Sequence, residues 1–423
     1  MGLQVYKFGG ASIATPERMQ ALLPIIRNAE GQLIIVVSAL GKTTNALEAI
    51  VKAAIKGEAQ KAKELVSQLT KEHSSYAQAV LQPKHYTNAQ VQLECFYRDL
   101  DEAVSKANRL PKDRFYDSVV SYGELLSSVI FASFLQQETG SIEWFDCRGI
   151  IRTDSTYKEG RVDWEVSKQN ASGLLRPVLQ SWKIVLTQGF IGSDPEGNPV
   201  TLGREGTDYT AAMLGAMLGA SDVTIWKDVE GLLNADPKQF PNTVHIEAIS
   251  YHEVVEMTYY GAQVIHPKTI KPLQNHRVPL LVRSFLRPEL KGTLISNEVS
   301  SLFYPPLVIL KQRQLLIQVT SKNFSFITED SLSYLYSLFH DLRIKISMIQ
   351  NTAINFIACV QQSNGEIAEL KNRLKEDYDV FCNEDVQLLT VRHYTPEILR
   401  ELTRSKYVIM EQKTRNTVQV VMK

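Results

Sequence analysis

The fold the sequence predicts is an α/β protein built on a mainly parallel sheet, followed by a C-terminal α+β region of ferredoxin-like order. Three observations carry that expectation. Short apolar runs recur at 3–8, 33–38, 142–147, 184–188, 223–226 and 279–282, mostly with helical patterns between them. Alternation of this kind belongs to parallel strands covered by helices. Glycine turns stand where several of these runs give way to helical spacing. After Pro305 and Pro306 the order becomes strand, helix, strand, strand, helix, strand, which is one ferredoxin-like unit.

The first run, 3–8, suits a buried strand. Gly9 and Gly10 then let the backbone turn and present bare N–H groups, while Thr15-Pro16-Glu17 reads as a cap, a first-turn proline and an acidic first turn. Met19, Leu22, Leu23 and Ile26 fall at helical spacing, which leaves Glu17, Arg18 and Arg27 for the polar side. Residues 45–137 are charged, nearly free of glycine and apolar at helical intervals, so they form a helical subdomain beside the sheet. Gly123 and Glu124 interrupt its most apolar stretch, Ser121-Tyr122-Gly123-Glu124-Leu125-Leu126-Ser127. A boundary is expected at 300–307, where Phe303-Tyr304-Pro305-Pro306 follows a polar stretch and two prolines resist helix or central strand. Domains are expected at 1–300 and 301–423. The second divides into a first unit at 308–383 and a truncated second unit at 384–423, one helix and one strand short.

The 423 residues, 44% hydrophobic, suffice for two cores, since a single core stops growing near about 250 to 300 residues. Forty-six basic and 46 acidic residues cancel, so no overall field draws the chain to nucleic acid or an anionic membrane. Cys95, Cys147, Cys359 and Cys382 lack the paired spacing of a zinc site or a disulfide framework. No metal ligands are expected. The N-terminus lacks a long apolar signal core, and no run approaches the ~18 residues of a membrane span. These features predict a cytoplasmic protein.

Tyr6-Lys7-Phe8-Gly9-Gly10-Ala11-Ser12 combines an ammonium, bare peptide N–H groups and the approach to a helix, a combination that favours a polyphosphate. A second glycine loop, Thr201-Leu202-Gly203-Arg204-Glu205-Gly206-Thr207-Asp208, opens onto another apolar helix after Gly189-Phe190-Ile191-Gly192. Arg204 offers a planar fork for a carboxylate and Asp208 can accept from an ammonium, so the two suit the ends of an amino acid. The alternative is an Arg204–Asp208 ion pair tying the loop to its own helix. Trp226-Lys227-Asp228 closes another strand and runs through Asp236-Pro237-Lys238, where carboxylates serve either a ribose, magnesium-bound water or the turn itself. His266, before Pro267, reads as a structural histidine.

Taken in order, these segments resemble an aspartate kinase of the amino acid kinase superfamily. The matching stretches are Lys7-Phe8-Gly9-Gly10-Ala11-Ser12, Val37-Ser38-Ala39 with Thr44-Asn45, Ser121-Tyr122-Gly123-Glu124, Gly189-Phe190-Ile191-Gly192, and the stretches 202–212, 228–237 and 261–269. The resemblance implies a three-layer α/β/α amino-acid-kinase fold and a C-terminal ferredoxin-like ACT domain. It implies transfer of the γ-phosphoryl group of ATP, carried with Mg2+, to the side-chain carboxylate of L-aspartate, the first step toward lysine, threonine and methionine. Lys7, Gly9 and Gly10, with Asp208, would serve catalysis. Ser38, Thr44, Glu124, Arg204 and Asp208 would hold aspartate. Lys7, Gly9, Gly10, Ser12, Lys227, Asp228, Asp236 and Lys238 would border the nucleotide. The ACT region implies an amino-acid effector, lysine or threonine, and a homodimer. Ala11, Glu205, Lys227, Leu233, Lys238 and Gln263 depart from the family's usual residues, mostly on the nucleotide side. Other readings are a superfamily kinase acting on glutamate or acetylglutamate, and a sensor that binds aspartate or ATP without turnover.

Overall fold

The computed structural model describes residues 2–181, 184–263, 265–299, 304–362 and 364–423. Residues 300–303 of the expected boundary, Phe303 among them, and Val264 lie outside that set. The chain divides into two compact units. The first comprises Met1–Leu232, Glu247–Tyr251 and Ile265–Ser300; the second comprises Leu233–Ile246, His252–Val264 and Ser301–Lys423. The division is therefore not a single cut near residue 300.

The first unit is built on eight strands in the order Ala248–Ser250, Thr293–Ser296, Leu280–Ser284, Asp222–Lys227, Leu3–Phe8, Gln32–Val37, Ile184–Gln188, Ile142–Phe145. Only the Leu280–Ser284 and Thr293–Ser296 pair runs antiparallel. The central strands are apolar without alternation because both faces are covered. Successive side chains on the Leu3–Phe8 strand show this: the Phe8 ring meets Phe131 of the Tyr122–Thr139 helix at 6.2 Å, while Lys7 reaches Asp208 of the Gly206–Leu218 helix. Neighbouring residues on a strand face opposite ways, so these two helices form the outer layers. The arrangement is a three-layer α/β/α fold.

Residues 43–139 are helical, as Thr43–Ile55, Ala59–Val80, Pro83–Ser105, Lys112–Val120 and Tyr122–Thr139. The run Lys112–Thr139 is long and apolar enough to cross a membrane, but most of it is buried inside the protein, as an all-round apolar helix in a core is.

The second unit holds a six-stranded antiparallel sheet in the order Ile346–Asn351, Asn355–Gln361, Leu307–Ser321, Tyr378–Arg392, Thr417–Met422, Val408–Lys413. Two 15-residue strands, Leu307–Ser321 and Tyr378–Arg392, run through both halves of it. Their register slips near Gln314, and Arg313 and Asp385 take positive φ of 53° and 55°, so the sheet bends there. Helices Glu329–Asp341 and Asn364–Leu374 cover one half, through Leu335, Phe339 and Leu370 against Ile317 and Phe356. Cys359 and Val421, from strands separated by two others, share a core with Leu316 and Leu388, so the bent halves face one another. The strand expected to be missing from the second unit is present: residues 307–311 pair with 388–392. The first ferredoxin-like half is thus inserted into the second, and 308–383 is not a separate block. Pro305 and Pro306 precede this strand instead of replacing it.

Candidate active site

Parallel strands deliver their carboxyl ends to one edge of a sheet, and ligands bind in the crevice beyond it. Here Leu3–Phe8, Gln32–Val37 and Ile184–Gln188 end beside a cavity of about 670 Å³ lined by Gly10, Ser38, Thr44, Glu124, Arg204 and neighbours. The Gly10 backbone passes so close to the 39–41 loop that an added Cβ would stand 2.5 Å from the Ala39 carbonyl oxygen. Gly41 N–H donates to the Gly10 carbonyl at 3.1 Å. Ser12 donates its hydroxyl to Gly9 O at 2.6 Å and is buried, so it ties the turn together. A four-residue 3₁₀ turn, Gly10–Ile13, follows, and the capped helix Pro16–Ala21 starts later, with Thr15 accepting from Arg18 N–H.

Lys7 Nζ lies 2.7 Å from Asp208 Oδ1, both nearly buried. The Arg204–Asp208 ion pair is not formed. Arg204 is exposed at the cavity and makes no ion pair with the described residues.

Glu124, only 3% exposed, accepts the Ala39 N–H through Oε1 at 3.2 Å, while Oε2 has no hydrogen-bond partner among the described residues. Burial pushes its carboxyl up to about 8, against the pull of the Ala39 bond and Lys7. A buried oxygen left open toward a cavity is an acceptor waiting for a donor. Ser127 anchors the same loop by donating to Ser38 O at 2.8 Å. The Ala59–Val80 helix braces it from behind: Tyr76 donates to Ile13 O at 2.7 Å, and His73 meets the Thr43 hydroxyl at 3.3 Å, next to Thr44.

Glu205, at the N-cap of the Gly206–Leu218 helix, has φ 55° in the left-handed region where glycine is at ease. Its Oε2 accepts the His266 N–H at 2.9 Å, which occupies the carboxylate. His266 itself caps the Pro267–His276 helix by accepting from Lys268 N–H, a structural role.

Lys227 and Asp228 are not among the cavity-lining residues. Asp236 and Lys238 belong to the other unit, where Asp236 Oδ1 accepts Lys238 N–H at 2.9 Å and shapes its own turn. Tyr157, Lys158, Glu159, Tyr116 and Asp113 line the cavity without having been marked by sequence. Asp113 and Tyr116 lie on the Lys112–Val120 helix; the loop of the other three is polar and aperiodic, and Gly160, where a Cβ would meet Val200 at 2.6 Å, is its one signal.

The lysine, the two glycine-bearing loops and the start of the Gly206–Leu218 helix fit a nucleotide's phosphates. No group of three or more His, Cys, Asp or Glu side chains able to hold a metal occurs among the described residues.

The family model described as amino acid kinase family matches residues 2–284. Lysine-sensitive aspartokinase 3 of Escherichia coli K12 is 32% identical over 323 residues, covering 75% of this chain and 70% of that protein. The chain belongs to the amino acid kinase family, among its aspartokinases. Within that family, bifunctional aspartokinase/homoserine dehydrogenase 1 of Zea mays is 30% identical over 70% of this chain, and the chain spans only 32% of that longer protein. Escherichia coli aspartokinase III, solved in complex with lysine and aspartate in its T-state, superposes with a TM-score of 0.83 at 25% identity, over 99% of this chain and 95% of that one. Its R-state complex with aspartate and ADP gives 0.79 at 25% identity, over 99% and 96%. The likeness extends through the C-terminal sheet as well as the kinase fold.

Proposed function

We propose that this chain transfers the γ-phosphoryl group of MgATP to the side-chain carboxylate of L-aspartate, giving 4-phospho-L-aspartate and ADP. The observation that carries this reading is the division of charge around one cavity: Arg204, without an ion pair among the described residues, and the open Glu124 oxygen lie in its lining, and Lys7, held by Asp208, is close enough to act on the Glu124 carboxyl. Arg204 holds the α-carboxylate. Glu124, with Asp208 and Thr44, takes the amino group, and Ser38 orients the acceptor. Lys7 and the Gly9–Gly10 backbone neutralise charge on the transferring group.

The acceptor carboxylate is ionised at pH 7, so no general base is needed. One of its oxygens bonds phosphorus as the bond to the β-phosphate oxygen breaks, and ADP leaves. Alignment and charge stabilisation then supply the rate, a contribution that reaches about 7 to 11 kcal/mol in oriented systems.

Lys227, Asp228, Asp236 and Lys238 remain our candidates for the nucleotide's border. The unit built on the parallel sheet supplies the kinase and the unit that holds 301–423 the regulatory region, whose effector would be lysine or threonine; the complex of aspartokinase III with lysine supports an amino-acid effector. Pairing of two copies through the regulatory sheet would give a homodimer, because edge strands such as Ile346–Asn351 invite it. Four unpaired cysteines support a reducing, cytoplasmic location.

The test traps acyl phosphate with hydroxylamine, offering L-aspartate, L-glutamate and acetylglutamate, with Lys7→Ala as control. Product with aspartate alone, lost in the variant, is expected. ATP binding with no product from any acceptor would leave a sensor.

A further inference from the structure

We propose that Asp117 is the positioning residue that sets the acceptor side of the cavity, an inference that rests on the aspartate kinase reading of that site. Asp117 lies on the Lys112–Val120 helix and is fully buried. Its Oδ2 accepts the backbone N–H groups of Lys158 and of Thr201, each at 2.8 Å, and its Oδ1 accepts the Thr201 hydroxyl at 2.8 Å. Three short charge-assisted bonds converge on one carboxylate that does not itself line the cavity.

The two segments so joined are the acceptor walls. Thr201 ends a short strand three residues before Arg204, and Lys158 lies in the loop that brings Tyr157 and Glu159 to the same cavity. Lys158 has φ 70°, a backbone conformation that does not persist in a lysine without outside restraint. Asp117 supplies that restraint, and its neighbour Tyr116 places a ring 4.9 Å under the Lys158 ammonium. Gly160 N–H closes the junction by donating to Thr201 O at 2.9 Å. Burial pushes the Asp117 carboxyl above its ordinary value, against the pull of the three donors.

Lys7, Gly9 and Gly10 are held by other partners: Asp208, Ser12 and the 39–41 loop. Loss of the Asp117 clamp therefore loosens the grip on aspartate and spares the phosphoryl side. This separates it from general destabilisation, which lowers both.

The experiment is steady-state kinetics by hydroxamate formation on the full chain, varying aspartate and ATP separately. Asp117→Leu keeps a similar bulk and removes both acceptor oxygens, leaving the two N–H groups and the Thr201 hydroxyl without them. It is expected to raise the KM for aspartate by about tenfold or more, with kcat and the KM for ATP within about twofold of wild type. Thr201→Val, which removes one of the three bonds and keeps the branched shape, should raise the same KM by about threefold, and Thr201→Ser should restore it. An unchanged KM for aspartate, a loss confined to kcat, or equal rises in both KM values would overturn the inference. If Asp117→Leu does not fold, the Thr201→Val and Thr201→Ser pair decides by the same split. A wild type that makes no hydroxamate from aspartate overturns the site reading itself; a normal wild type with a normal Asp117→Leu overturns only this inference.

Discussion

Lys7 Nζ and Asp208 Oδ1 stand 2.7 Å apart, joining a central strand to the first turn of the helix that covers its lysine face. An ammonium fixed in this way needs no reorganisation when negative charge develops beside it. Lys7→Ala is expected to lower kcat by about 10² to 10³ while the KM for aspartate changes only severalfold. Single-turnover rates and aspartate titration check this, and equal losses in both would remove the role.

Glu124 gives a pH signature. An acid whose folded-state value is raised from 4.5 to about 8 by burial is neutral in the folded protein at pH 7. Its contribution to stability is present below about pH 4.5 and is lost as pH rises through about 8, with a ceiling near ~5 kcal/mol. Glu124→Gln should therefore match or exceed wild type in Tm at pH 8.5, with the advantage shrinking at pH 5. An ammonium beside Oε2 favours the ionised form, so aspartate binding at pH 7 should release close to one proton. Calorimetry in buffers of different ionisation enthalpy reads that release, and none would place the amino group elsewhere.

Glu205 weighs backbone strain against one hydrogen bond. Glycine would remove the cost of φ 55° while giving up the bond to His266, whereas alanine gives up the bond and keeps the strain. Glu205→Ala should be less stable than Glu205→Gly by about 1 kcal/mol in urea unfolding. The reverse order would show that the loop does not hold that conformation in solution.

Arg392, 5% exposed, donates to Glu253 at 2.9 and 2.8 Å, to Glu256 at 2.8 Å and to the Thr417 hydroxyl at 2.9 Å. Burial alone would raise the Glu253 carboxyl, but bonds from Arg392 and His393 pull it below its ordinary value. A depressed acid contributes stability above its unfolded value and loses it as pH falls through the folded one. Arg392→Met should cost about 3 to 5 kcal/mol at pH 7, because it strands a buried charge. The loss should shrink below about pH 4 as Glu253 takes up a proton.

Much of the kinase fold and part of its site were legible because glycine and charge fall at strand ends. Gly10, Ser38, Thr44, Glu124 and Arg204 line one cavity, Gly10 and Ser38 because parallel strands place their following loops side by side. Asp117 was not legible: an aspartate in a helix looks solvated until its three backbone and hydroxyl donors arrive from 41 and 84 residues away. The bond from the Ser12 hydroxyl to Gly9 O, a matter of rotamer and not of spacing, was not legible either. The strand at 307–311 was hidden by the prolines before it and by the bulge that breaks its alternation near Gln314.

Insertion of one half-sheet into the other also sets a timetable for synthesis. Lys311 pairs with Leu388, 77 residues later (388 − 311), and at about 5 to 20 residues per second that partner follows some 4 to 15 s behind. Throughout that interval the apolar stretch Leu307-Val308-Ile309-Leu310 has left the ribosome without the strand that will cover it. The nascent chain, more than the finished enzyme, is where this region is open to misassembly.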